Sequence, residues 1–267
     1  MRKTNYRILS SLPAVLASLA VAGCAATAED PDPYNHPGIE WVLTSAEYEA
    51  LSLQVYAEAT GDLADKLADR SWSALPEQRD AGHLPPAIIF DVDETVVSNA
   101  PFQLTLVPPF TDEKLNAWND ANPAKPVPGV AAFAAAARAL GIELFFITNR
   151  PCLDEDCTQQ LVTTQDVIEA GIPTTPDRVM LSYEQPGWNK EKKNRRDVVA
   201  ADYRVLMLIG DDLNDFIPCS RRRAVPPCTE GATQASRAAS VRAYADYWGN
   251  GWYVLPNPMH GSWTTVD

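Results

Sequence analysis

Four short apolar runs, three of which end in polar or acidic clusters, constrain this chain more than any other feature of its sequence. They are Ala87–Phe90, Leu144–Ile147, Val179–Leu181 and Val205–Ile209, with helical candidates at Val130–Leu140, Glu155–Ala170 and Glu191–Ala201. Strands that alternate with helices and are apolar on both sides form a parallel sheet covered on both faces. Phe90 leads into Asp91-Val92-Asp93-Glu94-Thr95, Ile147 into Thr148-Asn149-Arg150, and Ile209 into Gly210-Asp211-Asp212-Leu213-Asn214-Asp215. Ligands of an open parallel sheet sit beyond the carboxyl ends of its strands, so the three clusters converge on one crevice. At least three carboxylates meeting there repel one another. A hard divalent cation such as Mg²⁺, bound through oxygen, relieves that repulsion.

The 267 residues permit one large α/β domain, or one domain with a small appendage. A net charge of -13 leaves no broad basic surface and speaks against a nucleic-acid polymer as partner. Between Ser45 and Arg70 the positions Tyr48, Leu51, Val55, Leu63 and Leu67 recur at helical spacing and predict an amphipathic helix that packs on the main domain.

The first residues read as an export signal. Arg2, Lys3 and Arg7 precede a mostly apolar run, Ile8 to Ala22, too short for a permanent membrane span, and then comes Val21-Ala22-Gly23-Cys24. Small residues before a Cys resemble the bacterial lipoprotein signal, in which Cys24 becomes the lipidated first residue. An ordinary cleavage site that happens to contain a Cys is the alternative. Residues 1–23 are thus expected to be signal peptide, 24–38 a tether rich in Ala, Pro and acid, and 39–267 the folded domain. Without residues 1–23 the balance is 19 basic against 35 acidic side chains, or -16. The expected location is the cell envelope, lipid-anchored to the outer membrane, with the anchor as the only membrane contact.

Beyond Cys24 the cysteines are Cys152, Cys157, Cys219 and Cys228, an even number that allows three pairings. The local pairs 152–157 and 219–228 are favoured. A four-thiolate zinc site is the competing reading, although neither pair has the two-residue spacing of zinc ribbons. Disulfides fit an oxidising space outside the cytoplasm. The loop between Cys219 and Cys228 carries Arg221, Arg222 and Arg223, for which a solvated loop is the default.

The run Asp91-Val92-Asp93-Glu94-Thr95, with Thr148, Lys192 and Gly210 to Asp215 in that order, resembles the haloacid dehalogenase superfamily of phosphohydrolases. Within it, Thr148-Asn149-Arg150, the lipoprotein-like start, and Leu255-Pro256-Asn257-Pro258 to Gly261-Ser262-Trp263 resemble the bacterial class C nonspecific acid phosphatases and lipoprotein 5′-nucleotidases. The resemblance implies a Rossmann-like parallel sheet with a small, mainly helical cap contributed by the N-terminal helix and about 96–127. It also implies that Asp91 attacks phosphorus, that Asp93 protonates the leaving oxygen and then activates water, that Thr148 donates to a phosphoryl oxygen, and that Lys192 neutralises phosphate and Asp91 together. Lys192 is preferred to Lys190 and Lys193 because Lys192-x-x-Arg195 matches the family spacing. Mg²⁺ would lie on Asp91, the backbone carbonyl of Asp93 and Asp211, with Asp215 as a further ligand or behind one. Asp212 reads better as a helix cap.

For the substrate, Asn149, Trp118 and His260 are the binding candidates. Nucleotide-hydrolysing relatives stack a base between two aromatics. Here the cap position aligns with Leu115, one turn before Trp118, and the C-terminal aromatic aligns with His260. Trp118 has an alternative as a cap-core aromatic. The function implied is hydrolysis of small phosphomonoesters, nucleoside monophosphates among the candidates, through an aspartyl-phosphate. Phosphotransfer from the same intermediate to an alcohol is the rival within chemistry, and a non-catalytic surface-binding lipoprotein is the rival outside it.

Overall fold

Side chains alternate along β1 (Pro86–Phe90) between two cores, Ile88 and Phe90 entering one and Ala87 and Ile89 the other. The computed structural model describes residues 37–121 and 125–266; the signal segment, Cys24 and the tether as far as residue 36 lie outside the described residues. Strand β1 is central in a five-stranded parallel sheet. Its neighbours are β2 (Glu143–Pro151) and β4 (Arg204–Gly210), flanked in turn by β3 (Val179–Ser182) and β5 (Trp252–Val254). The register pairs Ile88 with Leu144 and Phe90 with Phe146, so the apolar runs of the sequence lie side by side. The fold class is therefore the expected one, and β5 is an addition to the four strands read from the sequence.

The first core is covered by three helices. These are α2 (Ala46–Ala68), α5 (Val130–Ala139) and α6 (Thr158–Glu169), which supply Tyr56, Leu63, Phe133, Ala137 and Val167 among others. Ser45 caps α2, its hydroxyl accepting from Tyr48 N at 3.1 Å. The alanines of α5 allow it to lie close to α2, and at Gly129 (φ +95°) a Cβ would stand 3.1 Å from that of Tyr56. The second core takes Val199 from α7 (Lys193–Asp202), Phe216 from α8 (Leu213–Phe216), and Trp188 and Trp252.

The cap is helical, as expected, but its N-terminal part is a separate short helix. Residues 37 and 38, assigned above to the tether, open α1 (Pro37–Thr44). Helix α1 packs on α3 (Ala100–Thr105) through a small cluster of Ile39, Val42, Tyr48, Ala100 and Met259. With α4 (Asp112–Ala121) and the segment between α3 and α4, these helices stand over the carboxyl end of the sheet and contribute Ile39, Leu106, Phe110 and Leu115 to the wall of one cavity of about 680 Å³. The long helix α2 instead covers the sheet face. A further helix, α9 (Gln234–Ala243), follows the basic loop.

Candidate active site

The cavity holds Asp91, Asp93, Asn149, Lys192, Asp211, Asp215 and His260 in its wall, so the structure brings most of the expected site residues together. Asp91 sits one residue beyond β1, its N–H donating to the Ile209 carbonyl at 2.8 Å. The carboxylates of Asp91, Asp211 and Asp215 offer oxygens that all lie within 4.8 Å of one another. The Lys192 ammonium is buried between two of them, bonded to Asp91 and 2.6 Å from Asp215 Oδ1. Its neighbours in sequence are paired with other carboxylates, Lys190 while still in the cavity wall. Lys190 pairs with Asp112 at 3.2 Å and Lys193 with Asp197 at 2.8 Å.

Burial pushes the Asp91 carboxyl up to about 7; Lys192 restrains the rise, and Asp215 and Asp93 add to it. Burial likewise holds Asp211 well above the carboxylate range, reinforced by Asp91 and Asp215. Three carboxylates against one ammonium leave excess negative charge in a buried place, and all the donors are oxygen. Such a set fits a hard divalent cation.

Local geometry explains why Asp215 can reach in. Its Oδ2 accepts from the N–H groups of Asp211 and Asp212 at 3.1 and 2.9 Å, and a Cβ at Gly210 would lie 2.3 Å from that same oxygen. Asp212 caps α8, as its position suggests, and its other oxygen accepts from Ser262 N at 2.6 Å. Asn257 from the C-terminal phrase donates to Asp211 at 2.6 Å.

Asp93 is held differently from Asp91. Arg150 Nε donates to both its oxygens, at 3.0 and 3.1 Å, and Nη2 to Oδ1 at 2.7 Å; Asn99 Nδ2 adds a bond of 2.7 Å and Thr148 Oγ1 one of 3.3 Å. Burial would raise its pKa, but the Arg150 charge and these hydrogen bonds outweigh it and hold the carboxyl below the usual range. Thr148 is fully buried beneath the cavity, its hydroxyl turned to Asp93. Arg195, also fully buried, bonds the Thr148 carbonyl and donates to Asn149 Oδ1 at 2.9 Å, which ties the end of β2 to the Lys192 segment.

Of the three substrate candidates, Asn149 and His260 reach the cavity and Trp118 does not. The Trp118 ring packs 5.9 Å from that of Phe102 inside the cap, and Leu115, one turn earlier, lines the cavity in its place. His260 Nε2 stands 3.3 Å from Glu94 Oε1. Burial lowers the pKa of His260, but Glu94 and then Asp93 more than reverse this, so the ring titrates above its ordinary value. Both local cysteine pairs, 152–157 and 219–228, are disulfides. The zinc alternative therefore falls, although Glu191 lies against Cys219 and Cys228.

Sequence reasoning had not assigned roles to Arg150, Asn99, Arg195, Glu191 or Arg221. Arg150 stands inside the Thr148-Asn149-Arg150 phrase, and its full burial beside two carboxylates is the signal that only the fold supplies.

A family model described as HAD superfamily, subfamily IIIB (Acid phosphatase) matches residues 34–263. Two solved structures of the class C acid phosphatase from Bacillus anthracis, one with tungstate bound, are similar to this chain. Each is 26% identical, with 85% of this chain and 85% of that chain covered and a TM-score of 0.67. Enzymes of this kind generally use a divalent metal, in keeping with the donor set. From the sheet, the strand-end carboxylates and these matches together, the chain belongs to the subfamily IIIB acid phosphatases of the haloacid dehalogenase superfamily, enzymes that hydrolyse phosphomonoesters.

Proposed function

We propose that this phosphatase is Mg²⁺-dependent and hydrolyses small phosphomonoesters through an aspartyl-phosphate on Asp91, nucleoside monophosphates among them. The observation that carries the reading is the placement of the buried Lys192 ammonium against Asp91, within the carboxylate group that includes Asp211 and Asp215. Lys192 restrains the rise of the Asp91 pKa and neutralises an incoming phosphoryl group, and phosphoryl transfer needs this neutralisation more than it needs a strong base. An Asp91 oxygen forms a bond to phosphorus, the bond from phosphorus to the leaving oxygen breaks, and Asp93 gives that oxygen its proton. In the second half-reaction the Asp93 carboxylate takes a proton from water as that water attacks the aspartyl-phosphate, releasing phosphate and free Asp91. The Asp91 and Asp211 carboxylates and the Asp93 carbonyl would hold Mg²⁺, with Asp215 as a further ligand or behind one, and the ion would supply charge neutralisation for the phosphoryl oxygens. Thr148 holds a hydrogen bond to Asp93 before substrate arrives and is released to a phosphoryl oxygen afterwards.

In this reading the chain is exported, lipidated at Cys24 and anchored to the outer membrane. The support is the basic, apolar and small-residue order of residues 1–24 and the two disulfides, which belong to an oxidising space. The test is turnover over a phosphomonoester panel with Mg²⁺, with other divalent ions and with chelator, alongside Asp91→Asn. The variant is expected to stay folded and lose turnover, and near-wild-type activity would remove the covalent mechanism.

A further inference from the structure

The basic triplet of the Cys219–Cys228 loop does not act as one solvated patch. Arg222 donates to the Thr265 carbonyl at 3.0 Å and Arg223 is exposed, whereas Arg221 is half-buried and lines the catalytic cavity. Among the described residues Arg221 forms no ion pair, although the chain carries 35 acidic side chains. Its backbone is fixed on several sides. Cys219, two residues earlier, is in the disulfide, the Arg221 carbonyl accepts from Ala232 N at 2.8 Å, and Arg237 bonds the Ser220 carbonyl. Gly231 packs directly against this loop: a Cβ there would lie 1.7 Å from the Arg222 carbonyl oxygen, so no larger residue fits. Of the charges nearby, the cations Lys190 and Arg237 repel Arg221, and the carboxylates are already engaged. Asp112 is paired with Lys190, and Asp212 is spent on Asn214 N and Ser262. What remains is a guanidinium carried on a fixed backbone, lining the same cavity as Asp91 and without an ion pair among the described residues.

We propose that Arg221 forms an anion subsite in this cavity and selects phosphomonoesters whose leaving group carries a second anionic group, a phosphate or a carboxylate. This rests on the phosphatase reading of Asp91 and specifies its substrate class. A planar guanidinium matches either anion with two parallel hydrogen bonds.

The test is calorimetric binding of unhydrolysable probes to the mature chain with Mg²⁺ in excess. The probes are alkylphosphonates of increasing chain length, the matching α,ω-bisphosphonates and ω-carboxyalkylphosphonates. At the spacer length that spans the cavity, the doubly charged probe is expected to bind about tenfold more tightly than its singly charged counterpart, beyond the statistical factor. Arg221→Lys should keep part of this ratio, and Arg221→Ala and Arg221→Gln should bring it to within about twofold. A gain confined to bisphosphonates assigns the second anion as phosphate, and one confined to carboxyalkyl probes assigns it as carboxylate. A wild-type ratio near one at every length, or a ratio that persists in Arg221→Ala, overturns the subsite. Hydrolysis of phenyl phosphate by the same preparation is read separately: its absence would overturn the catalytic reading and leave the binding ratio to decide the subsite.

Discussion

Arg150 grips Asp93 along one edge of its guanidinium and Asp166 along the other, so that Asp93 in the cavity wall is tied through one buried cation to a carboxylate behind it. Removing Arg150 outright would leave buried carboxylates uncompensated and cost several kcal/mol of stability, so it is a poor probe of chemistry. Arg150→Lys keeps the charge but loses the forked contact. Because Arg150 holds the Asp93 pKa low, the acid form that serves the leaving group is populated only at low pH, and kcat should fall as pH rises. With lysine in place the Asp93 pKa rises, and that falling limb should move toward neutrality. A kcat–pH profile in which the limb does not move would take Asp93 out of the acid role.

The raised carboxylates make a second prediction, about stability. A carboxyl whose folded pKa lies above its unfolded value binds extra protons in the native state, so stability falls as pH rises between the two values. With Asp91 at about 7 and Asp211 also raised, the metal-free protein should lose stability from about pH 4 to pH 7. Thermal melts in chelator should show Tm falling by several degrees over that window. Asp211→Asn should flatten the slope, and Mg²⁺ should raise Tm most at the upper end. A metal-free Tm that climbs with pH across the window would contradict the assignment.

Behind Lys192, the buried Glu191 accepts both amide bonds of Asn214 at 3.0 Å and one from Cys219 N at 3.1 Å, so the second disulfide closes over the back of the site. Replacing Cys219 and Cys228 by serine should cost roughly 2–4 kcal/mol and lower Tm by about 5–10 °C. Catalysis should suffer too, because Lys192 follows Glu191 directly. Replacing Cys152 and Cys157, whose loop lies away from Glu191, should leave kcat closer to wild type. Equal kcat losses in both double variants would show that the loop over Glu191 has no special part in placing Lys192.

The buried parallel strands were legible because burial on both faces leaves unbroken apolar runs, and the strand-end clusters followed from the topology alone. Strand β5 escaped because it has only three residues, too few for a pattern of its own, and it becomes a strand through the pairing of Trp252 and Tyr253 with Leu208 and Ile209. Leu115 and Trp118 share a face of α4, so helical spacing could not say which one reaches the cavity. The turn of Arg221 inward depends on a disulfide whose first Cys has φ +59°, a conformation no local pattern announces. Arg150 was visible as a residue and invisible as a clamp, since its partner Asp93 is 57 positions away.

Base selectivity rests on what faces the cavity. Trp252 is sunk in the second core and Trp118 packs on Phe102, so neither offers an open ring to a base. Phe110 and His260 line the cavity, and His260 is drawn toward Glu94. Stacking on a full aromatic contributes on the order of 1–3 kcal/mol per base, and imidazole covers less of it. Hydrolysis of nucleoside monophosphates should therefore exceed that of a simple aryl phosphate only modestly. His260→Tyr enlarges the platform while Glu94 keeps its bonds from Asn99 N and Ser98 Oγ. The variant should lower KM for nucleotides relative to aryl phosphate by roughly fivefold or more, with kcat little changed, because stacking is equal in ground and transition states. Steady-state kinetics on both substrates decide it: a wild-type enzyme already strongly selective for nucleotides, with His260→Tyr neutral, would move the stacking surface from His260 to Phe110.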